Sequence, residues 1–478
     1  MQVMKAKFAL RLSAAVGVMA MACAPAAWAD ATTDMGPATV TLGGFLASET
    51  LYRSRNEGAD IGSTFSGIPF PATNTAHTSE TRFSARQSRL SVLAQANINS
   101  DTHVAFYSEF DFMAGPGSAN SNESNSYSPR IRNVYGTIDW DAEGIELLAG
   151  QNWSLLTLNS KGITPRNEQN PATIDAQYSV GFNWARQPQI RVVKNFDHQV
   201  WIALSAENPQ TTFAGGPGFG TVAGLNVVNT IVGSSEFDKA ANTLSLNHIP
   251  DVIGKVAWEP MIGGSQPLHI EGFGIYRSFY DRVEVTSATN VLGLPVGNNS
   301  YNQSGGGFGG SIAWSIFPKV LDLAITGMTG QGIGRYGSGQ LPDVTVQPNG
   351  LLAPIQETTA LLSATWHVTP LFDLYTYEGQ EAEKPKYYNV GALHLGVGNP
   401  AVATAGCATE LGTCSVNLQA ENQANVGFWW RIYQGKFGSF RFGMQYSYTH
   451  LNSFTGVTGT HADTDESMLF TSIRYYPF

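Results

Sequence analysis

Apolar and polar positions alternate with a period of two through much of the chain. In residues 103–112, HVAFYSEFDF, one parity holds Val104, Phe106, Ser108, Phe110 and Phe112, and the other holds His103, Ala105, Tyr107, Glu109 and Asp111. A helix would scatter these side chains around its axis, whereas a strand collects them on two faces. Segments of this kind fall at 38–53, 82–97, 103–113, 130–139, 145–153, 188–196, 199–207, 248–258, 268–280, 306–317, 321–329, 355–368, 371–380, 422–433, 437–449 and 466–478, which predicts sixteen strands. The connections alternate in length. Long ones rich in Gly, Asn, Ser, Thr and Pro lie at 54–81, 114–129, 154–187, 208–247, 281–305, 330–354, 381–421 and 450–465, with short turns such as DAEG at 141–144 and PKV at 318–320 between them. Long connections on one side and short turns on the other are the rhythm of an all-β, antiparallel, up-and-down transmembrane barrel with both termini on the short-turn side. The apolar stretch AGLNVVNTIVG within 208–247 leaves eighteen strands as the second count.

Composition narrows this picture. Charged residues make up 13% of the chain, against roughly 25% in ordinary soluble domains, while aromatic residues reach 11% and glycines number 51. No stretch after residue 29 offers 18 continuous apolar residues, so no helix is expected to cross a bilayer. A soluble β-sandwich has no reason to segregate long loops to one end. Residues 1–29 read as a cleaved secretory signal: Lys5, Lys7 and Arg11 precede a short apolar run, and AWA at 27–29 forms a small-x-small site. Residues 30–478 then form one barrel domain, surrounded by outer-membrane lipid and lipopolysaccharide. The net charge of -10, which becomes -13 without the three signal cations, excludes nucleic acid as an expected partner.

In a membrane barrel the lipid face is apolar and the lumen polar. Phe106, Phe110 and Phe112 are therefore expected to face lipid, with Glu109 and Asp111 in the lumen. The reverse would sink carboxylates in hydrocarbon, at about 2.5–3.5 kcal/mol for an aspartate at mid-depth of a spanning helix. Neighbouring strands bring cations, Arg89 from SARQSRLSVLAQA and Arg130 and Arg132 from RIRNVYGTI. Arg86 has the opposite parity to Arg89, which calls for a bulge or a location near an interface. Such a wall has two readings. Arginines and carboxylates can simply satisfy a polar interior, or surplus guanidiniums can attract and orient anions in a confined pore. The loop 154–187 is long enough to fold back into the bore, carrying Lys161, Arg166 and Arg186, and is equally suited to remain outside.

The remaining chemistry is sparse. Cys407 and Cys414, in GCATELGTC, suit a local loop disulfide in an exported protein, and no metal site or cofactor is expected. GIGRYG at 332–337 spells the dinucleotide fingerprint, but SGQLPDVTVQPNG follows it and supplies no helix to receive phosphates. No hydrolase motif stands out, so catalysis is not expected. A barrel lipase or protease and an adhesin are the other classes.

The segment RQSRLSVLAQANINSDTHVAFYSEFDF, followed by PRIRNVYGTIDWDAEGIELLAGQNWSLL, resembles the DcaP-like outer-membrane porins. The likeness is carried by Arg86–Leu90, Tyr107–Phe112, Arg130–Gly136 and Ala149–Ser154, within roughly residues 84–154. The resemblance implies a trimeric sixteen-stranded channel that passes small anionic solutes such as dicarboxylates, with Arg89, Arg130 and Arg132 at its constriction. A non-selective general porin is the alternative within that class. The chain departs from members with an N-terminal coiled coil: only DATTDMGPATV precedes the first strand, without heptads, leaving trimerisation to the barrel walls.

Overall fold

Sixteen antiparallel strands close on themselves. They are β1 Ala38–Arg53, β2 Arg89–Asn97, β3 Thr102–Asp111, β4 Arg130–Trp140, β5 Ile145–Trp153, β6 Arg186–Phe196, β7 Val200–Glu207 and β8 Asp251–Trp258. The second half continues with β9 Gln266–Val285, β10 Gly297–Phe317, β11 Leu321–Gln331, β12 Gln356–Thr369, β13 Phe372–Glu383, β14 Leu418–Gly435, β15 Gly438–Ser453 and β16 Asp463–Tyr476. Each strand pairs with the next, and β16 returns to β1 in the register Leu46↔Tyr475 to Arg53↔Met468. Closure leaves no unpaired sheet edge in hydrocarbon, which an open sheet could not avoid. The computed structural model describes residues 31–114, 127–214, 225–232, 243–262, 266–288, 290 and 293–478; the segment 1–29 read as a signal lies outside the described residues.

The alternative count of eighteen falls. Leu225–Val228 lies against the far end of β9, and Thr230–Val232 pairs only with Thr243–Ser245 in a separate ribbon. Segments of three or four residues are far short of the roughly 9–11 needed to cross a membrane. At the other rim, Ala31–Met35 folds back on Ala38–Leu42 and covers the stretch of β1 that β16 does not reach.

The period-two pattern sorts side chains as expected. Along β7, Trp201, Ala203, Ser205 and Glu207 are buried inside, while Ile202 and Leu204 are exposed on the outer wall. Exposed Phe196, Trp258, Phe317, Trp366, Trp430 and Phe437 gather at the short-turn ends of their strands, an aromatic girdle of the kind that marks a membrane interface. In β16, Met468, Phe470, Ser472 and Arg474 point inward, and Leu469 and Ile473 outward.

Two irregularities shape the interior. Glu80–Ser84 pairs with the outer end of β1, and a turn at 85–88 separates it from β2. This break accommodates the opposite parities of Arg86 and Arg89: Arg86 reaches Asp60 at 3.2 Å and the carbonyls of Phe112, Met113 and Ala114. The second is a register shift in which Glu109 faces Asn133 and Phe110 faces Ile131. The extra residue is Arg132, so Arg132 and Asn133 are both buried inside, and the alternation restarts with Tyr135 inward.

The long connections do not all stay outside. The third loop, L3 (154–185), and the sixth, L6 (332–355), fold into the bore. The seventh, L7 (384–417), carries Cys407 and Cys414, which are bonded to each other.

Candidate lumenal constriction site

L3 runs across the lumen and is fastened to its walls mainly by backbone amides. Its first limb is held by Glu207, which accepts from the Leu155 N–H at 2.8 Å, and by Lys255, which donates to the Thr157 carbonyl at 2.7 Å. The tip descends to the short-turn rim, where Glu259 accepts from the Gly162 N–H. The returning limb crosses to the opposite wall: the N–H groups of Ala172, Ile174, Val180 and Gly181 donate to Tyr377, Gln445, Gln423 and Glu381 at 2.9, 2.5, 3.1 and 2.7 Å. Buried backbone donors need partners, and inward polar side chains of β7, β13, β14 and β15, with Glu259 in the turn after β8, provide them.

Apolar packing completes the fastening. Tyr178 and Phe182 from L3 cluster with Trp153 of β5, Leu361 of β12 and Tyr375 and Tyr377 of β13. L6 lies against the same limb: the Trp184 N–H donates to the Tyr336 carbonyl at 2.8 Å, and Gln177 Nε2 donates to the Ser338 carbonyl at 2.7 Å. Gly339 of L6 then donates to Glu381 at 2.9 Å, and a Cβ on Gly339 would displace the Glu421 carboxylate.

Beside this fastened limb stands the charged wall. Asp111 binds Arg130 at 2.7 Å and Arg132 at 3.0 Å. Glu109 pairs with Arg132 and lies 3.9 Å from Arg89. Because consecutive strands are neighbours in an up-and-down barrel, β2, β3 and β4 deliver these groups side by side. Arg186 joins them from the start of β6, close enough for its charge to act on Glu109, Arg132 and Tyr178. Arg186 makes no ion pair among the described residues; its guanidinium lies over the rings of Trp153 at 4.7 Å and Trp184 at 5.2 Å. Its Nε and one terminal nitrogen are buried without hydrogen-bond partners. Three guanidiniums thus share two carboxylates and Arg186 adds a fourth positive charge beside them, a formal surplus of two.

Tyr178 closes the group. Its hydroxyl oxygen accepts from Arg132 at 3.0 Å. Burial opposes ionisation of the phenol, but Arg132, Arg89 and Arg186 outweigh it and bring Tyr178 down to about 7. Deeper in L3, burial pushes the Asp175 carboxyl up to about 6, against the opposing pull of Arg53.

The other sequence candidates lie elsewhere. Arg166 sits one step below the wall, donating to the Tyr135 hydroxyl at 3.2 Å and lying 5.8 Å from the Tyr107 ring. Lys161 does not join the arginines. L3 carries it down to the short-turn rim, where it lines a cleft of about 700 Å³ with Asp197, His198 and Glu259. Reading the residues did not single out Tyr178, Trp153, Trp184 or L6. In YSVGFNWAR, Tyr178, Val180, Phe182, Trp184 and Arg186 share one parity, a strand-like pattern inside a long connection.

One consequence is measurable directly. Asp111→Ala leaves the Arg130 and Arg132 guanidiniums without their shared carboxylate, and breaking a buried pair costs about 3–5 kcal/mol. The variant is expected to unfold at a lower temperature in detergent and to raise the positive surplus of the wall. An unchanged melting profile would mean that the pair does not hold the wall together.

No protein-family model and no curated protein matches this chain. Among solved structures it is similar to the outer membrane channel DcaP of Acinetobacter baumannii, with a TM-score of 0.61 and 15% identity over 92% of this chain and 97% of that one. It also aligns with an anion-selective porin from Comamonas acidovorans, at a TM-score of 0.47 and 11% identity over 92% of this chain and 99% of that one. For OprB of Pseudomonas putida the TM-score is 0.47, with 9% identity over 91% and 94% of the two chains. The chain has the fold of the DcaP channel along almost its whole length.

Proposed function

We propose that this protein is a passive outer-membrane channel that favours small anions, dicarboxylates among them. The observation that carries the reading is the uncompensated Arg186 guanidinium in a wall where four arginines meet two carboxylates. A purely structural wall would balance its charges. A surplus beside a loop that crosses the bore favours anions entering over cations, and weak, multiple contacts let them leave. The aromatic girdle and apolar outer wall support placement in a bilayer; the outer membrane with its lipopolysaccharide is the membrane an exported barrel would enter once residues 1–29 are removed. A homotrimer packed through barrel walls is the assembly that the DcaP-like resemblance suggests.

The test is solute flux into proteoliposomes holding the purified protein. A four-carbon dicarboxylate should enter faster than a neutral solute of similar size, and a diamine slowest. Equal rates for all three would favour a non-selective porin, and no flux from a folded, inserted barrel would turn attention to an enzyme or adhesin.

A further inference from the structure

We infer that Tyr178 is a specificity-determining residue of the constriction, a phenol that competes with the permeating anion for the surplus positive charge of the arginine wall. The inference rests on the anion-channel reading and adds a pH dependence to it. Tyr178 belongs to L3, not to the barrel wall, and a residue in the left-handed region (φ 72°) holds its ring against Trp153 and Phe182 with the hydroxyl toward Arg132.

The groups around it come from several elements. Arg89 on β2, Arg132 on β4 and Arg186 on β6 are the cations that act on the phenol. Glu109 and Asp111 on β3 are already engaged by Arg132, Arg130 and Arg89, so neither carboxylate is free to neutralise Arg186. Asp175, three residues earlier in L3, receives the N–H groups of Ser63 and Gln177. The neighbouring phenols of β13 point to other partners: Tyr375 donates to Gln445 at 3.1 Å, and Tyr377 accepts the Ala172 N–H. Within this arrangement the Tyr178 oxygen is the titratable group placed to become the third anion.

The sign follows directly. Below neutrality the phenol is uncharged and the surplus of two cations is available to a solute. As pH rises through neutrality the phenol loses its proton, the phenolate pairs with Arg132, and the available surplus drops to one. Anion preference therefore falls as pH rises.

The experiment compares reversal potentials under a potassium chloride gradient at about pH 6 and about pH 8.5, both below the usual tyrosine range near 10. The wild-type channel should lose a several-fold part of its anion-to-cation permeability ratio between the two, and Tyr178→Phe should show no such fall. A near-ultraviolet phenolate band should grow in over the same interval in the wild-type protein and be missing from Tyr178→Phe, a readout that stands even if the variant conducts poorly. Anion preference that does not change with pH, or an equal fall in Tyr178→Phe, would overturn the role of Tyr178 and leave the anion filter standing. Absence of anion preference at pH 6 would overturn both.

Discussion

Arg186→Glu is expected to abolish anion preference, and Arg186→Gln to weaken it, with the barrel intact in both. The wall around Glu109 and Asp111 holds two more positive charges than negative, so glutamine removes half of the surplus and glutamate all of it. The choice of Arg186 is a result of the structure. From the chain alone, Arg130 and Arg132 look like the residues to replace, but both are tied to carboxylates, and truncating either would strip Asp111 or Glu109 of a close partner and confuse selectivity with stability. Arg186 rests on two indole faces and holds no carboxylate. Cation–π contacts of this kind contribute about 0.5–2 kcal/mol, so folding should tolerate the loss. Bilayer recordings under a salt gradient read the outcome: a reversal potential unchanged in Arg186→Glu would remove this residue from the filter.

Gly181→Leu is expected to produce the largest change in conductance. Gly181 has a φ of 84°, and a Cβ there would collide with the Ala360 carbonyl oxygen of β12. Its N–H donates to Glu381, and the preceding Val180 N–H donates to Gln423. A leucine cannot keep these bonds, so the returning limb of L3 must leave the β12–β14 wall, taking its contact with L6 along. The barrel does not depend on that limb for its ladder, because all sixteen strand pairings lie outside L3. A several-fold rise in single-channel conductance is therefore expected, together with an unchanged β-sheet spectrum. Equal conductance in the variant and the wild-type protein would show that L3 does not obstruct the ion path.

What the residues disclosed and what they withheld follow from the range of the contacts. Strand number, loop rhythm and the inward placement of Glu109 and Asp111 were legible because a barrel wall repeats a local period of two, and chain neighbours are also wall neighbours. The meeting of Arg89, Arg130 and Arg132 with the two acids was legible for the same reason. The infolding of L3 was not. It is decided by bonds such as Gly181 to Glu381 and Val180 to Gln423, across 200 and 243 residues, and no local pattern reports them. Lys161 shows the same limit: its charge suggested the constriction, while the depth of L3 and the Glu259 anchor carried it to the far rim. The shift that turns Arg132 and Asn133 inward together was equally hidden, since strict alternation would have sent one of them to lipid.

The most direct test of the account is the reversal potential of the wild-type channel in a planar bilayer at about pH 6, with potassium chloride at two concentrations. The wall of four arginines and two carboxylates predicts a potential of the sign set by chloride, shifted toward zero in Arg186→Glu. A potential set by potassium would contradict the anion filter while keeping the channel.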